Sequence, residues 1–296
     1  MKNKRLELNY HLMLLPGMIF LIIFSIIPMF GIVMAFQHYT PAKGILGSKW
    51  VGLNNFKYMF QLPDSGQIFG NTIIIAISKI IVGIILPVTI ALLLNEIRVK
   101  RFKKVVQTAI YLPHFLSWVI LATVVMNIFS FDGIINQYIH FFGGKPILFM
   151  ASNFWFRPII IFTDAWKEFG LSSVIYLAAL TSIDPGLYEA TAIDGANRFK
   201  QLRHITLPTI APVIVLMSTL SLGNILNAGF DQIFNLYNPI VYQTADIIDT
   251  YVYRVGLIQM QYSYGTAVGL LKSVVSMLLI IVSYKLADKY ANYRIF

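Results

Sequence analysis

The chain has 296 residues, is 57% hydrophobic and 12% charged, and carries a formal charge of +10 with no cysteine. A charged share near half the globular norm, beside that much apolar surface, excludes a water-soluble domain and indicates a bilayer. The missing thiols exclude disulfides, zinc–thiolate sites and cysteine redox chemistry, and the positive charge fits the basic flanks of membrane spans better than it fits nucleic acid.

Residues 1–11 are short and basic, with Lys2, Lys4 and Arg5. Residues 12–36 then run without a charge, about 37 Å of helix at 1.5 Å per residue. A signal peptide would have a shorter apolar core and a small-residue cleavage site. Pro16, Pro28 and the bulky Phe36 favour an uncleaved first span. Residues 37–69 read as a loop rich in Gly, Pro, Asn and Asp. The second span is 72–94, with one charge, Lys79. A basic segment follows with Arg98, Lys100, Arg101, Lys103 and Lys104, then a third span at 108–129. A mixed loop at 130–157 contains Gly143-Gly144 and Phe154, Trp155 and Phe156. The fourth span, 159–183, holds Asp164, Lys167 and Glu168. After a polar stretch at 184–209 come a fifth span at 210–230, a loop at 231–266 rich in Asn and Tyr, a sixth span at 267–286 and a basic tail.

With the N-terminus inside, 14 of the 23 Lys and Arg residues fall in cytoplasmic segments, 6 in outside loops and 3 within spans. The inside group includes Lys285, Lys289 and Arg294, and the outside group includes Lys43, Lys145, Arg157 and Arg254. Positive charge is retained on the cytoplasmic side. The chain is therefore expected to be an all-α integral membrane protein of six transmembrane helices. Both termini are expected in the cytoplasm, with one domain over 1–296.

The polar stretch 184–209 carries helix signals. Asp184-Pro185 is an N-cap followed by proline at the first helical position, where no N–H is needed. Gly195 can take positive φ and turn the chain. A second polar helix is expected through Arg198 to His204, with Pro208 interrupting before the fifth span. The result is a helical hairpin on the cytoplasmic surface with Glu189 facing water. Within it, Glu189-Ala190-Thr191 is followed at fixed spacing by Gly195, Ile205, Leu207 and Pro208. This resembles the EAA motif of permease subunits of binding-protein-dependent ABC importers, with Thr191 the one departure. Six matched positions arise by chance at odds of about one in a million per site.

The resemblance implies a coupling helix between the fourth and fifth spans that sits in a cleft of an ATPase subunit. It implies polar contact through Glu189, with Leu187, Tyr188, Ala192 and Ile193 supplying apolar contacts. It also implies two ATPase subunits that bind ATP and Mg, a second homologous permease and an extracellular or periplasmic solute-binding protein, in the bacterial cytoplasmic (inner) membrane. Leu14-Leu15-Pro16-Gly17, Ile27-Pro28-Met29, Ala35-Phe36-Gln37, Trp50-Val51-Gly52-Leu53 and Asn55-Phe56 are similar to the lipoprotein-B-like sugar permeases. Those import oligosaccharides from complex, often acidic, polysaccharides.

Ionisable groups within spans are costly and usually face a cavity or a partner. Lys79, Lys167 and Lys272 lie at similar depth, about 9–14 Å from the outer ends of their spans. They are expected to line the outer half of a substrate path, with Trp166 stacking on sugar faces. Asp164 lies i,i+3 from Lys167, so part of this charge can be paired internally. Lys79 and Lys272 have no carboxylate at helical spacing and are the stronger substrate candidates. Structural ion pairing and snorkelling are the competing readings. The 231–266 loop offers Asp231, Asn235, Tyr237, Tyr242 and Gln243 as ligands for sugar hydroxyls and rings, or as a docking surface for the binding protein.

Gly269-Leu270-Leu271-Lys272-Ser273 lacks the Gly-Lys pair of a phosphate-binding loop, so the chain is expected to have no ATPase site and no cofactor of its own. Gly265 and Gly269 form GxxxG, a candidate close-packing face. The five histidines are scattered, and no metal site or catalytic constellation is expected. Competing functions are a permease for neutral sugars or another small solute, an ion-coupled secondary transporter, and a membrane-embedded enzyme.

Overall fold

Proline shapes the membrane helices at two places in the same way. Proline lacks an N–H, and its ring collides with the carbonyl four residues back. In the first helix (α1, Lys4–Leu21) the chain passes into a widened turn at Ile22–Ile26, where the Ile27 N–H bonds the Ile22 carbonyl just before Pro28. The turn at Leu202–Thr206 repeats this, with the Leu207 N–H on the Leu202 carbonyl just before Pro208. The five-residue step moves the obstructing carbonyl aside and lets the helix continue. The expected interruption at Pro208 is therefore absent, and Arg198–Leu222 is one helix of 25 residues.

The computed structural model describes residues 4–223 and 225–291, and side chains within 10–223 and 225–285. Lys2 and Arg294, used to orient the chain, lie outside the described residues, and so do the side chains of Lys4, Arg5 and Lys289. Among the described residues, four helices are long and apolar enough to cross a membrane: Tyr10–Phe36, Pro63–Glu96, Arg198–Leu222 and Tyr262–Lys285. Two bent helix pairs bring the count to as many as 6.

The chain falls into two compact units, Met1–Ser65 with Tyr251–Leu271, and Gly66–Thr250 with Lys272–Phe296. In the first unit, the segment read as a plain loop after α1 is an ordered module. Strands β1 (Gln37–His38) and β2 (Lys49–Trp50) pair antiparallel, with Gln37 opposite Trp50, and α2 (Asn54–Gln61) follows. The Asn55 amide donates to the Ala35 and Gln37 carbonyls at 2.8 and 3.0 Å, and Phe36 stacks on Trp50 with centroids 5.7 Å apart. In the same unit, a Cβ on Gly265 would meet the Gly256 Cα at 2.7 Å, whereas Gly269 has nothing within 4 Å. Within the unit, the close approach is thus a Gly256–Gly265 pair.

The second unit takes in most of α3 (Pro63–Glu96), then α4 (Lys100–Tyr111), α5 (Trp118–Ile128), α6 (Ile134–Phe141), α7 (Asn153–Thr181), α8 (Pro185–Ile193), α9 (Arg198–Leu222) and α10 (Phe230–Leu236). The helices α11 (Ile248–Val252) and α12 (Tyr262–Ala291) each contribute part of their length to both units. Two expectations are corrected here. The third span is broken: α4 and α5 meet at 105° around a tight turn at Leu112–Phe115 that contains Pro113. The fifth span ends at Leu222, and Phe230 opens a separate helix after Gly229, which holds φ at 94°.

The 231–266 segment is also not a loop. Its short helices bring Ile233, Leu236, Val241, Ala245 and Ile247 into one core with Ile75, Ala122, Val125, Phe156 and Ile160. Asn- and Tyr-rich composition resembles a loop because these helices are too short to show periodicity. Their polar groups are satisfied internally. Thr250, fully buried, donates to Asp246 Oδ1 at 2.8 Å, and Gln232, also fully buried, donates to the Ile160 carbonyl at 2.7 Å.

Candidate functional site

The polar hairpin forms as its local signals require. Asp184 caps α8 by accepting from the Gly186 N–H at 2.9 Å, with Pro185 at the first helical position. At the other end Gly195 sits at φ 76°, its N–H bonds the Ala192 carbonyl at 3.1 Å, and the Ala196 N–H bonds the Thr191 carbonyl at 2.9 Å. This is a Schellman closure, which needs a left-handed residue at Gly195. Asn197 then caps α9, accepting from the Lys200 N–H at 2.9 Å.

Side-chain contacts lock the arms together. Tyr188 Oη lies 3.0 Å from Thr206 Oγ1, and the Gln201 amide donates to the Tyr188 carbonyl at 3.2 Å. Neither Gln201 nor Thr206 stood out in the sequence, because their value lies in a contact across the hairpin.

The hairpin presents both polar and apolar groups outward. Glu189, Ala190 and Gly195 are exposed, and so are Leu207 and Pro208 on α9. Ile205 instead packs into a core with Tyr188, Leu180 and Ile210. Ile193 is 88% exposed and Phe199 67%, values that a water-facing helix rarely gives to large apolar side chains unless something covers them. A cavity of about 710 Å³ opens beside them, lined by Leu92, Leu93, Tyr188, Phe199 and Leu202, with Arg198 on Glu96 at 2.5 Å.

The three intramembrane lysines all have partners in the chain. Lys79 donates to Asp164 Oδ1 at 3.1 Å, to the Ala228 carbonyl at 2.8 Å and to Gln232 Oε1, which uses all three of its N–H groups. It joins α3, α7 and α10 at one point, and it bounds a cavity of about 270 Å³ with Asp164, Ser221, Asn227 and Gly229. Asp164 therefore pairs with Lys79 and not with Lys167 as the helical spacing suggested.

Lys167 donates to the His114 and Leu116 carbonyls at 2.6 and 2.7 Å and lies 5.8 Å from the Trp118 ring centre. It satisfies carbonyls left open where α4 breaks from α5. Lys272 pairs with Asp249 Oδ1 at 2.5 Å. The carboxylates that neutralise Lys79 and Lys272 come from other elements, 85 and 23 residues away, so no sequence spacing could reveal them. Trp166 and Asp231 are exposed, and Tyr237 is half-buried. Tyr237 belongs to an aromatic run, with ring centres 6.3 Å from Phe234 and 5.0 Å from Tyr242.

A Lys272→Ala variant is expected to lose stability by about 1–3 kcal/mol, because Asp249 is left largely buried without its cation. The check is thermal unfolding in detergent. A Lys272→Ala/Asp249→Asn variant should recover most of the loss, and no recovery would mean that the pair is not what Lys272 stabilises.

Comparison with known proteins places this geometry. Residues 83–292 match the family described as "Binding-protein-dependent transport system inner membrane component". The chain is 46% identical over 302 residues to the polygalacturonan/rhamnogalacturonan transport system permease protein YteP of Bacillus subtilis (strain 168), covering 100% of this chain and 94% of that one. It is 41% identical over 287 residues to protein LplB of the same organism, covering 97% and 90%. Among solved structures, it is similar to a chain of a bacterial ABC transporter involved in the import of the acidic polysaccharide alginate. The TM-score is 0.88 and the identity 38%, with 97% of each chain covered. A second structure, of a bacterial alginate ABC transporter in complex with an alginate pentasaccharide-bound periplasmic protein, gives 0.87 at 38% identity, covering 97% and 96%. The chain belongs to the binding-protein-dependent transport system inner membrane components, the permeases to which the spacing from Glu189 to Pro208 points.

Proposed function

We propose that this protein is the permease subunit of an ATP-driven ABC importer that takes up acidic, uronate-containing oligosaccharides by alternating access. The observation that carries the cargo class is the near full-length similarity to relatives whose names specify polygalacturonan, rhamnogalacturonan and alginate. The exposed hairpin supports the drive: a rigid, capped element with Glu189, Leu187 and Ile193 outward can receive motion from a partner and pass it into α7 and α9. In this reading two ATPase subunits bind ATP and Mg and dock on the hairpins of this chain and a second, homologous permease. A periplasmic or extracellular binding protein delivers the oligosaccharide, as in the alginate complex. Because their positive charge is already matched within the chain, Lys79 and Lys272 act in the path as parts of neutral clusters.

The test is uptake of labelled trigalacturonate into proteoliposomes holding the full complex, with ATP inside and binding protein outside. ATP-dependent accumulation is expected. Transport of neutral sugars alone would remove the cargo assignment, and uptake driven by an ion gradient without ATPase subunits would remove the drive.

Two variants probe the hairpin. Glu189→Ala should lower uptake roughly tenfold or more, the scale of one lost hydrogen bond to a charged group, while the protein still folds. Gly195→Pro should do the same and also loosen the hairpin, since proline cannot hold φ near 76° or donate to Ala192. Full-rate uptake by both would count against coupling through this element.

A further inference from the structure

Arg157 differs from the three intramembrane lysines in having no acidic partner among the described residues, whereas Lys79 and Lys272 pair with Asp164 and Asp249 and Lys167 lies 3.9 Å from Glu168 Oε1. Its Nε donates to the Thr244 carbonyl at 2.9 Å and its Nη2 to Asn71 Oδ1 at 2.5 Å, both neutral acceptors. A guanidinium has five N–H donors, so three remain. Arg157 borders a cavity of about 620 Å³ whose walls include Gln67, Phe154 and Gln243, and no Asp or Glu lines it. That volume is in the range of small-molecule sites. Gln67 and Gln243 are exposed, and Phe154, which also lines the cavity, is 74% exposed. The wall is also fixed in place: the Gln67 amide donates to the Gln243 carbonyl at 2.5 Å, and the Asn71 amide donates to the Asp246 carbonyl at 3.0 Å. The cavity lies at the N-terminal ends of α3 and α7, the ends that the positive-inside bias assigns to the outside.

We propose that this cavity is a subsite for the carboxylate of a uronate residue in the incoming oligosaccharide. The remaining N–H groups of Arg157 hold the carboxylate, a match that a planar guanidinium makes better than an ammonium. The side chains of Gln67 and Gln243 take sugar hydroxyls, and Phe154 covers a ring face. The proposal rests on the acidic-oligosaccharide reading and locates where acidity is read, at a cation that no carboxylate among the described residues pairs with. A carboxylate on the docking face of the binding protein would satisfy the same chemistry. The amide and aromatic side chains that line the cavity favour the cargo, and the experiment separates the two.

The experiment compares uptake of trigalacturonate and of its methyl ester by the full complex in proteoliposomes, and it also records ATP hydrolysis stimulated by unliganded binding protein. For Arg157→Gln, trigalacturonate uptake should fall on the order of tenfold or more, while the ester changes little. Arg157→Lys should restore part of the loss. Gln243→Glu leaves every Arg157 bond in place and puts a carboxylate beside it, so it should reproduce the selective loss without a folding defect. Equal losses for acid and ester, or loss of the stimulation by unliganded binding protein, would overturn the proposal in favour of a structural or docking role. Unchanged acid uptake in both Arg157→Gln and Gln243→Glu would overturn it outright. A wild-type complex that moves the ester but never the acid would instead bring down the cargo reading itself.

Discussion

A Gly170→Ala protein is expected to be less stable by about 3 kcal/mol, a large change for one methyl group. Gly170 lies on α7 where it crosses α4. A Cβ there would come within 1.9 Å of the Ile110 carbonyl oxygen and 2.6 Å of its carbon. The obstacle is backbone inside a helix, so no rotamer change relieves it, and the two helices must separate. Overpacking of ordinary side chains costs about 1–3 kcal/mol, and a rigid obstacle puts this site at the upper end. The crossing also lies next to the turn that Lys167 holds, so separation would loosen the joint between α4 and α5. Thermal unfolding and the yield of monodisperse protein in detergent provide the check. Gly83→Ala is the control, since nothing lies within 4 Å of a Cβ there. Equal behaviour of the two variants would show that the α4–α7 crossing is not as close as described.

The second large effect is at Lys79. Replacing it by methionine leaves Asp164 and the fully buried Gln232 without their shared donor. Removing one member of a buried pair costs about 3–5 kcal/mol, and the lower end applies because Asp164 keeps a quarter of its side chain exposed. A Lys79→Met/Asp164→Asn protein removes both charges and should return most of the stability. This pair of variants separates two roles that single-variant uptake confounds. If Lys79 served only as a contact for acidic cargo, the single variant would fold normally and lose uptake, and the double variant would lose it equally. Gly229→Ala should resemble Lys79→Met, because its Cβ would lie 2.7 Å from Lys79 Nζ and its φ of 94° suits glycine alone.

The parts of the fold legible in the sequence are those set by neighbours in the chain. Asp184, Pro185 and Gly195 are cap and turn residues that act over four or five positions, and the hairpin they outline is the hairpin that forms. The first, second and sixth spans were likewise visible as long apolar runs with at most two charges each. The break at Pro113 was obscured because one proline inside an apolar run signals either a kink or a stop, and only the packing of α5 against α10 decides which. Burial of residues 231–250 was hidden for a related reason. Gln232 and Thr250 look like surface residues until Ile160 and Asp246 are brought to them.

Taken alone, the sequence determined that the chain lives in a bilayer, that it carries a capped polar hairpin, and that the hairpin has the spacing of an importer permease. Each of these depends on composition or on local backbone chemistry. Tertiary structure decided what the charges do. A cation removed from water must be matched, and the matching group is whichever one the fold brings near: Asp164 for Lys79, backbone carbonyls together with Glu168 for Lys167, Asp249 for Lys272. By the same rule Arg157, matched by neutral groups alone, keeps a charge still able to attract a ligand.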